Sequence, residues 1–278
     1  MSISNAVLIR ILGFVVAILW LVLLSFGLPN TMEEGNLAGF SWHQFLIATD
    51  DPMYPLNVQV LMWIAFFYCL SEVAIKWMGQ MEQSQWLGEF SLFRNPSSVN
   101  VYTPKGEMRV DLDSNEALKP ELLAAIFYAK RKALHPNALI TSIFKKVNHQ
   151  FQSTNDVGDV YSVVNASLEL ELHKVDIGYT VIRYLAWLIP TLGFIGTVIG
   201  VALALGKAAS MGSTDPRLLE EVIPRLGTAF YTTLLSLLLS AIVMILIQIV
   251  QAKEEALVNK IGSFCMDNIV TNLKPRAH

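Results

Sequence analysis

Pro190-Thr191-Leu192-Gly193-Phe194-Ile195-Gly196-Thr197-Val198-Ile199-Gly200 lies inside an uncharged run, 184–206, that is long enough to cross a bilayer. A run of that kind is ordinarily filled with Leu, Ile and Val. This one holds a helix-kinking proline, three glycines and the hydroxyl of Thr197, none of which favours membrane insertion. A second uncharged run, 226–252, carries Thr228, Thr232, Thr233, Ser236 and Ser240 where lipid contact would favour apolar side chains. Two weakly polar membrane helices without an ionisable group at their centres read as half of a pathway whose other half lies elsewhere.

Working outward, two further uncharged stretches appear at 11–32 and 52–71. Crossing the hydrocarbon takes roughly 20 helical residues rising about 1.5 Å each, and all four stretches qualify. Pro52 and Pro55 trim the start of the second. The first is too long for a signal peptide, and no small-residue cleavage site follows it, so it is read as retained. With 53% hydrophobic and 15% charged residues, the chain reads as an all-α integral membrane protein with four transmembrane helices. The slight negative net charge of -3 argues against a nucleic-acid surface.

Lys and Arg set the expected orientation. The segment between the first two spans has Glu33, Glu34, Asp50 and Asp51 but no Lys or Arg, and should face outward. Residues 79–183 carry Arg94, Lys105, Arg109, Lys119, Lys130-Arg131-Lys132, Lys145, Lys146, Lys174 and Arg183, and should be cytoplasmic. So should the tail, with Lys253, Lys260, Lys274 and Arg276. The outward link 207–225 mildly violates the rule, because it holds Lys207, Arg217 and Arg225, but Asp215, Glu220 and Glu221 match those charges. The expected layout is therefore 1–78 as two spans with a short periplasmic loop, 79–183 as a cytoplasmic domain, 184–252 as a paired-helix channel module, and 253–278 as a cytoplasmic C-terminal helix, with both termini inside.

Within the cytoplasmic part, Ser98–Leu112 alternates apolar and charged residues around Pro104-Lys105-Gly106, which fits either a short β-hairpin or an extended loop. From Pro120 the spacing turns helical until His135-Pro136 ends it. A second helix is expected from about Asn137 to Gln150. After the polar break at Ser153–Asp156, a third runs from about Val157 into the third span without punctuation. Its stripe of Val160, Val164, Leu168, Leu172, Val175 and Tyr179 should pack on Leu257, Ile261, Phe264, Ile269 and Leu273 of the tail.

Enzymatic signals fail. Gly200 and Gly206-Lys207-Ala208 resemble a phosphate loop, but the spacing is one residue too long and Ala208 replaces the Ser/Thr that holds magnesium. The run Asp111-Leu112-Asp113-Ser114-Asn115 opens like a calcium loop, yet Glu116 stands in place of the required glycine and Leu122 in place of the bidentate glutamate. The histidines form no HExxH pattern, and Cys69 and Cys265 have no metal-ligand company. Neither a metal nor a cofactor is expected. Glu72 and Lys76, one turn apart at the end of the second span, read as an interfacial i,i+4 ion pair in preference to a carboxylate on an ion path.

Gly193, Gly196, Thr197, Gly200 and Ala204 share roughly one helix face. Close packing of the Gly196-x-x-x-Gly200 kind explains the glycines but leaves Thr197 and Pro190 unexplained. Pro190 has no N–H for the Ala186 carbonyl, so a polar backbone group is exposed and bending is permitted. In the last span, Thr232, Ser236, Ser240 and Thr233 fall at about 40°, 80°, 120° and 140° from Thr228, forming one polar stripe. The stripe and Thr197 together point to a hydrated groove between the two helices.

Taken together, Pro190-x-x-Gly-x-x-Gly-Thr197-Val-x-Gly and Gly227-x-Ala229-x-x-Thr-Thr233-x-x-Ser-Leu resemble the MotA/TolQ/ExbB proton-channel family over about residues 155–273. Four spans with a large loop between the second and third are similar to the MotA arrangement, while the Gly-Thr-Val-x-Gly wording is closer to the ExbB/TolQ branch. The resemblance implies a bacterial inner-membrane pentamer around two copies of a single-span MotB/ExbD/TolR-like partner with an intramembrane Asp. It implies ion-pathway roles for Thr197, Thr233 and Thr232, with Pro190, Gly193, Gly196 and Gly200 shaping the helix. Some ExbB/TolQ members carry a glutamate where Thr228 stands here. Hydroxyls of this kind suit either H⁺ or Na⁺. The competing reading is a non-conducting membrane scaffold or signalling protein assembled through its glycine face.

Overall fold

The structure is a computed structural model that describes residues 3–27, 42–47, 57–91, 99–103, 106–110, 137–211 and 215–273. Its helices are α1 (Ile3–Gly27), α2 (Trp42–Leu46), α3 (Val58–Ser91), α4 (Leu139–Thr154), α5 (Val157–Ser210) and α6 (Leu218–Asn268), with one 3₁₀ turn at Val270–Asn272. Four of them, α1, α3, α5 and α6, are long and apolar enough to cross a membrane. At 54 and 51 residues, α5 and α6 far exceed the roughly 20 that the hydrocarbon needs. This is an all-α multi-pass membrane protein. The segment left open between hairpin and loop is a hairpin: β1 (Val99–Thr103) pairs antiparallel with β2 (Gly106–Val110), from Val99 opposite Val110 to Thr103 opposite Gly106. The helix expected from Pro120 to His135 lies outside the described residues.

The chain divides into two compact units. One comprises Trp77–Gly178 and Gln251–His278. Its polar break works as anticipated: Asn155 takes a left-handed conformation (φ 53°) and its N–H closes α4 on the Phe151 carbonyl at 3.0 Å. Asp156 then caps α5, accepting the Gly158 N–H at 2.8 Å. Ala138 gives α4 no side-chain cap, and Gln83 of α3 substitutes for it, accepting the Leu139 N–H at 3.0 Å and donating to the Asn137 carbonyl at 3.2 Å. The core joins Ile140, Ile143, Phe144, Val147 and Phe151 of α4 to Val160 and Val164 of α5 and to Leu257, Ile261, Cys265, Ile269 and Leu273. The Val160, Val164 and Leu168 part of the α5 stripe therefore meets the tail stripe, and Leu168 packs so closely on Gly262 that a Cβ there would lie 2.6 Å from Leu168 Cδ1. Burial pushes the Cys265 thiol up to about 12.

The other unit comprises Met1–Lys76 and Tyr179–Val250. Most of α1 is apolar and exposed, with Leu8, Leu12, Leu19 and Leu23 on its surface, as a lipid-facing helix requires. It meets α3 where Gly13 approaches Ser71 and where Trp20 packs edge-on against Trp63 and Phe67, with centroids 5.5 and 6.3 Å apart. Glu72 pairs across these helices with Arg10, through Nε at 2.6 Å and Nη2 at 3.2 Å, and not with Lys76 as the one-turn spacing suggested. The guanidinium fork offers two parallel bonds that a lysine cannot. Lys76 instead stands over the Tyr179 ring, 5.0 Å from its centroid. The charges of the α5–α6 link are matched locally, by Lys207–Glu221 at 3.7 Å, Arg225–Glu221 at 2.9 Å and Arg217–Asp215 at 3.7 Å.

Helices α5 and α6 pack antiparallel through small residues at three- and four-residue intervals. A Cβ on Gly193 would overlap the Ser236 hydroxyl, one on Gly196 would lie 2.8 Å from Thr232 Oγ1, and one on Gly200 2.6 Å from Ala229 Cβ. Buried residues continue the same spacing along each helix, as Ala186, Ile182 and Tyr179 on α5 and as Val243, Ile247 and Val250 on α6. Close approach here is a requirement on the glycines, because nothing larger fits.

Two measurements check these interfaces. Gly193→Ala should destabilise the detergent-solubilised protein by about 1–3 kcal/mol through overpacking. Adding Ser236→Gly should recover most of that loss in thermal melts, and Ser236→Ala less, since its Cβ stays in the way. In the Trp77–Gly178 unit, Phe151→Ala should cost about 3–5 kcal/mol. Alkylation of Cys265 at pH 8 should be slow in the folded protein and become fast in step with that unit's unfolding.

Candidate functional site

Polar groups on α5 and α6 in hydrocarbon must be satisfied by protein, because no bulk water is available. The five hydroxyls of the α6 stripe meet this demand in two ways. Thr228 donates to the Pro224 carbonyl at 3.1 Å, Thr232 to Ala229 at 2.7 Å, Ser236 to Thr233 at 2.8 Å and Ser240 to Leu237 at 3.4 Å. Each of these bonds stays on its own helix, three or four residues back, as hydroxyls in helices commonly do.

Thr233 differs. Its Oγ1 lies in hydrogen-bond contact with Thr197 Oγ1 on α5, 3.3 Å from the Gly193 carbonyl of α5 and 3.5 Å from the Ala229 carbonyl of its own helix. Thr197 Oγ1 in turn lies 3.2 Å from both the Gly193 and Ala229 carbonyls. The site is thus two hydroxyls and two carbonyls, one of each from each helix. Both threonines are half-buried, while Gly193 beside them is buried.

The local sequence explains the arrangement. Gly193 lets α6 come close enough for Thr233 to reach the Gly193 carbonyl, and Gly196 and Gly200 hold that approach on either side of Thr197. Pro190 lies one turn before, inside an α5 that continues through it. Thr232, only 5% exposed, sits against Gly196 with its hydroxyl donated to the Ala229 carbonyl, so its place is in the helix interface beside the pair. Sequence reading named Thr197, Thr233, the glycines, Ser236 and Ala229, but did not set Ser236 opposite Gly193 or Ala229 opposite Gly200. The matching three- and four-residue spacing of small residues on α6 carried that signal.

Two hydroxyls bring two protons and four lone pairs. The Thr197–Thr233 bond uses one proton, and the Gly193 or Ala229 carbonyl takes the other. Nothing is left to donate, so toward any third group the pair is an acceptor only. It suits a cation or the O–H of a protonated acid, and has nothing to offer an ionised carboxylate.

The profile of the MotA/TolQ/ExbB proton channel family matches residues 135–263, which include α5, the site and most of α6. The chain is also similar to biopolymer transport protein exbB1 of Vibrio cholerae serotype O1, at 27% identity over 148 residues. That match covers 51% of this chain and 59% of the relative, so the chain spans about three fifths of its length. No solved structure matches. The family match covers residues 135–263, just under half of the chain, and over that stretch the chain is similar to the MotA/TolQ/ExbB proton channel family.

Proposed function

We propose that this chain is the channel subunit of an inner-membrane, ion-driven energy transducer. The observation that carries the reading is the cross-helix pair of Thr197 and Thr233, whose protons are committed and whose free valence is acceptor only. An ion pathway through hydrocarbon needs a carboxylate or another readily charged group, and the uncharged stretches of α5 and α6 hold no Asp, Glu, Lys, Arg or His. A single-span partner of the MotB/ExbD/TolR kind, with an aspartate at membrane depth, supplies it. The aspartate docks at the threonine pair when protonated and leaves when ionised. Thr232 backs the pair from the helix interface.

In this reading five copies surround two partners, and α5 and α6 of successive copies present their threonine pairs in a ring. Residues 184–252 form the channel module, and 1–78 the two outer spans. The Lys- and Arg-rich segments 79–183 and 253–278 lie in the cytoplasm, with both termini inside. Each monovalent ion crossing about 100 mV releases roughly 2.3 kcal/mol, enough to drive a rotation step but not to make or break a covalent bond.

The scaffold reading draws support from the glycine packing of α5 on α6, which would assemble helices whether or not an ion passes. It gives the Thr197–Thr233 pair no use. Proton uptake into vesicles holding the chain and its co-purified partner separates the two. Thr197→Val and Thr233→Val should each lower uptake about tenfold or more, equivalent to at least about 1.4 kcal/mol on the barrier. Thr197→Ser and Thr233→Ser should retain it. Unchanged uptake in both valine variants, or purified assemblies without a partner, would leave the scaffold reading standing.

A further inference from the structure

Helix α2 is only five residues long, yet it is docked more carefully than a connecting turn requires. A helix that short leaves its terminal carbonyls without internal partners, which is costly away from water. Side chains of α3 receive them. Gln59 Nε2 donates to the Gln44 carbonyl at 2.8 Å and to the Phe45 carbonyl at 3.2 Å, and Trp63 Nε1 donates to the Leu46 carbonyl at 2.9 Å. Gln59 is 1% exposed, so a buried amide is committed to this task. Asn57, equally buried, caps α3 just before it by accepting the Val60 N–H at 3.0 Å. Phe45 and Ile47 are buried as well.

The docked α2 presents Phe45 edge-on to Tyr231 of α6, with ring centroids 6.2 Å apart and planes at 79°. Tyr231 stands midway between Ala229, whose carbonyl lies beside Thr197, and Thr233. Its ring reaches back to within 3.9 Å of where a Gly227 Cβ would be. We infer that α2 is a positioning element. Gln59 and Trp63 fix it on α3, and Phe45 acts through Tyr231 to set the register of the 229–233 turn and hence of the threonine pair. Phe45 and Tyr231 are positioning residues and touch no ion. The inference deepens the channel reading and rests on it only for the conduction readout.

Two readouts on the full chain with its co-purified partner in vesicles test it. The first is the rate at which N-ethylmaleimide alkylates a Thr233→Cys variant, localised by mass spectrometry, which reports the setting of the turn without any conduction. Phe45→Ala in that background should change the rate several-fold, Phe45→Leu should restore much of it, and Tyr231→Leu should reproduce the change without adding to it. The second is proton uptake with position 233 native, which Phe45→Ala should lower about tenfold, within the loss that a misplacement of about 1 Å can cause. Tyr231→Leu leaves α2 docked, so it serves where Phe45→Ala does not fold. Unaltered alkylation at position 233, or strictly additive effects of the Phe45 and Tyr231 changes, would overturn the positioning role. Loss of the α2 effect on uptake alone, with alkylation shifted and Thr197→Val silent, would instead count against conduction.

Discussion

The closeness of α5 to α6 governs everything else at the site. Membrane helices gain nothing from hiding apolar surface from lipid, so their association depends on van der Waals fit and on interhelical hydrogen bonds. Gly193, Gly196 and Gly200 allow the fit, against Ser236, Thr232 and Ala229 respectively. The same approach lets Thr197 and Thr233 reach each other and each other's backbone carbonyls. Packing and chemistry are one arrangement here. A methyl group added on the glycine face would separate the hydroxyls as well as the helices.

That coupling explains why four of the five α6 hydroxyls turn inward to their own backbone. A hydroxyl bonded three or four residues back is satisfied wherever its helix lies, and imposes no register. Thr233 alone among them bonds across, and so carries information about where α5 is. The second unit is organised on a different rule. Its core of Phe151, Val160, Val164, Leu257 and Ile261 is ordinary apolar burial of amphipathic stripes, with Asn155 and Asp156 punctuating the turn between α4 and α5.

Much of this was legible in the sequence because it is periodic or locally punctuated. Uncharged runs gave the four spans, three- and four-residue spacing paired Val160 and Val164 with Leu257 and Ile261, and the small-residue pattern singled out Thr197. What was not legible depends on distance along the chain. Glu72 has a lysine one turn away, but its partner is Arg10, sixty-two positions back, and only the fold brings that guanidinium to it. The α6 stripe looked like one groove because its angular spread is narrow. Which hydroxyl crosses and which folds back depends on where α5 actually touches. Helix α2 left no periodic trace in five residues, since its order comes from Gln59 and Trp63 on another helix. Residues Ser98–Leu112 were balanced between hairpin and loop, because alternation alone does not say whether a strand finds a partner.

The Arg10–Glu72 pair also bears on the cost of placing α3 in hydrocarbon. Helix α3 is the less apolar of the first two spans and has much more of its surface buried within the protein than α1. A glutamate just past its uncharged run, with Gln59 in its first turn and Asn57 just before it, makes α3 the less favourable of the two for transfer into hydrocarbon. Helix α1 is strongly apolar, largely exposed outside its contact with α3, and precedes α3 in the chain. Arg10 on α1 sets an opposite charge against Glu72, so the carboxylate costs less where α1 lies beside α3 than it would on α3 alone.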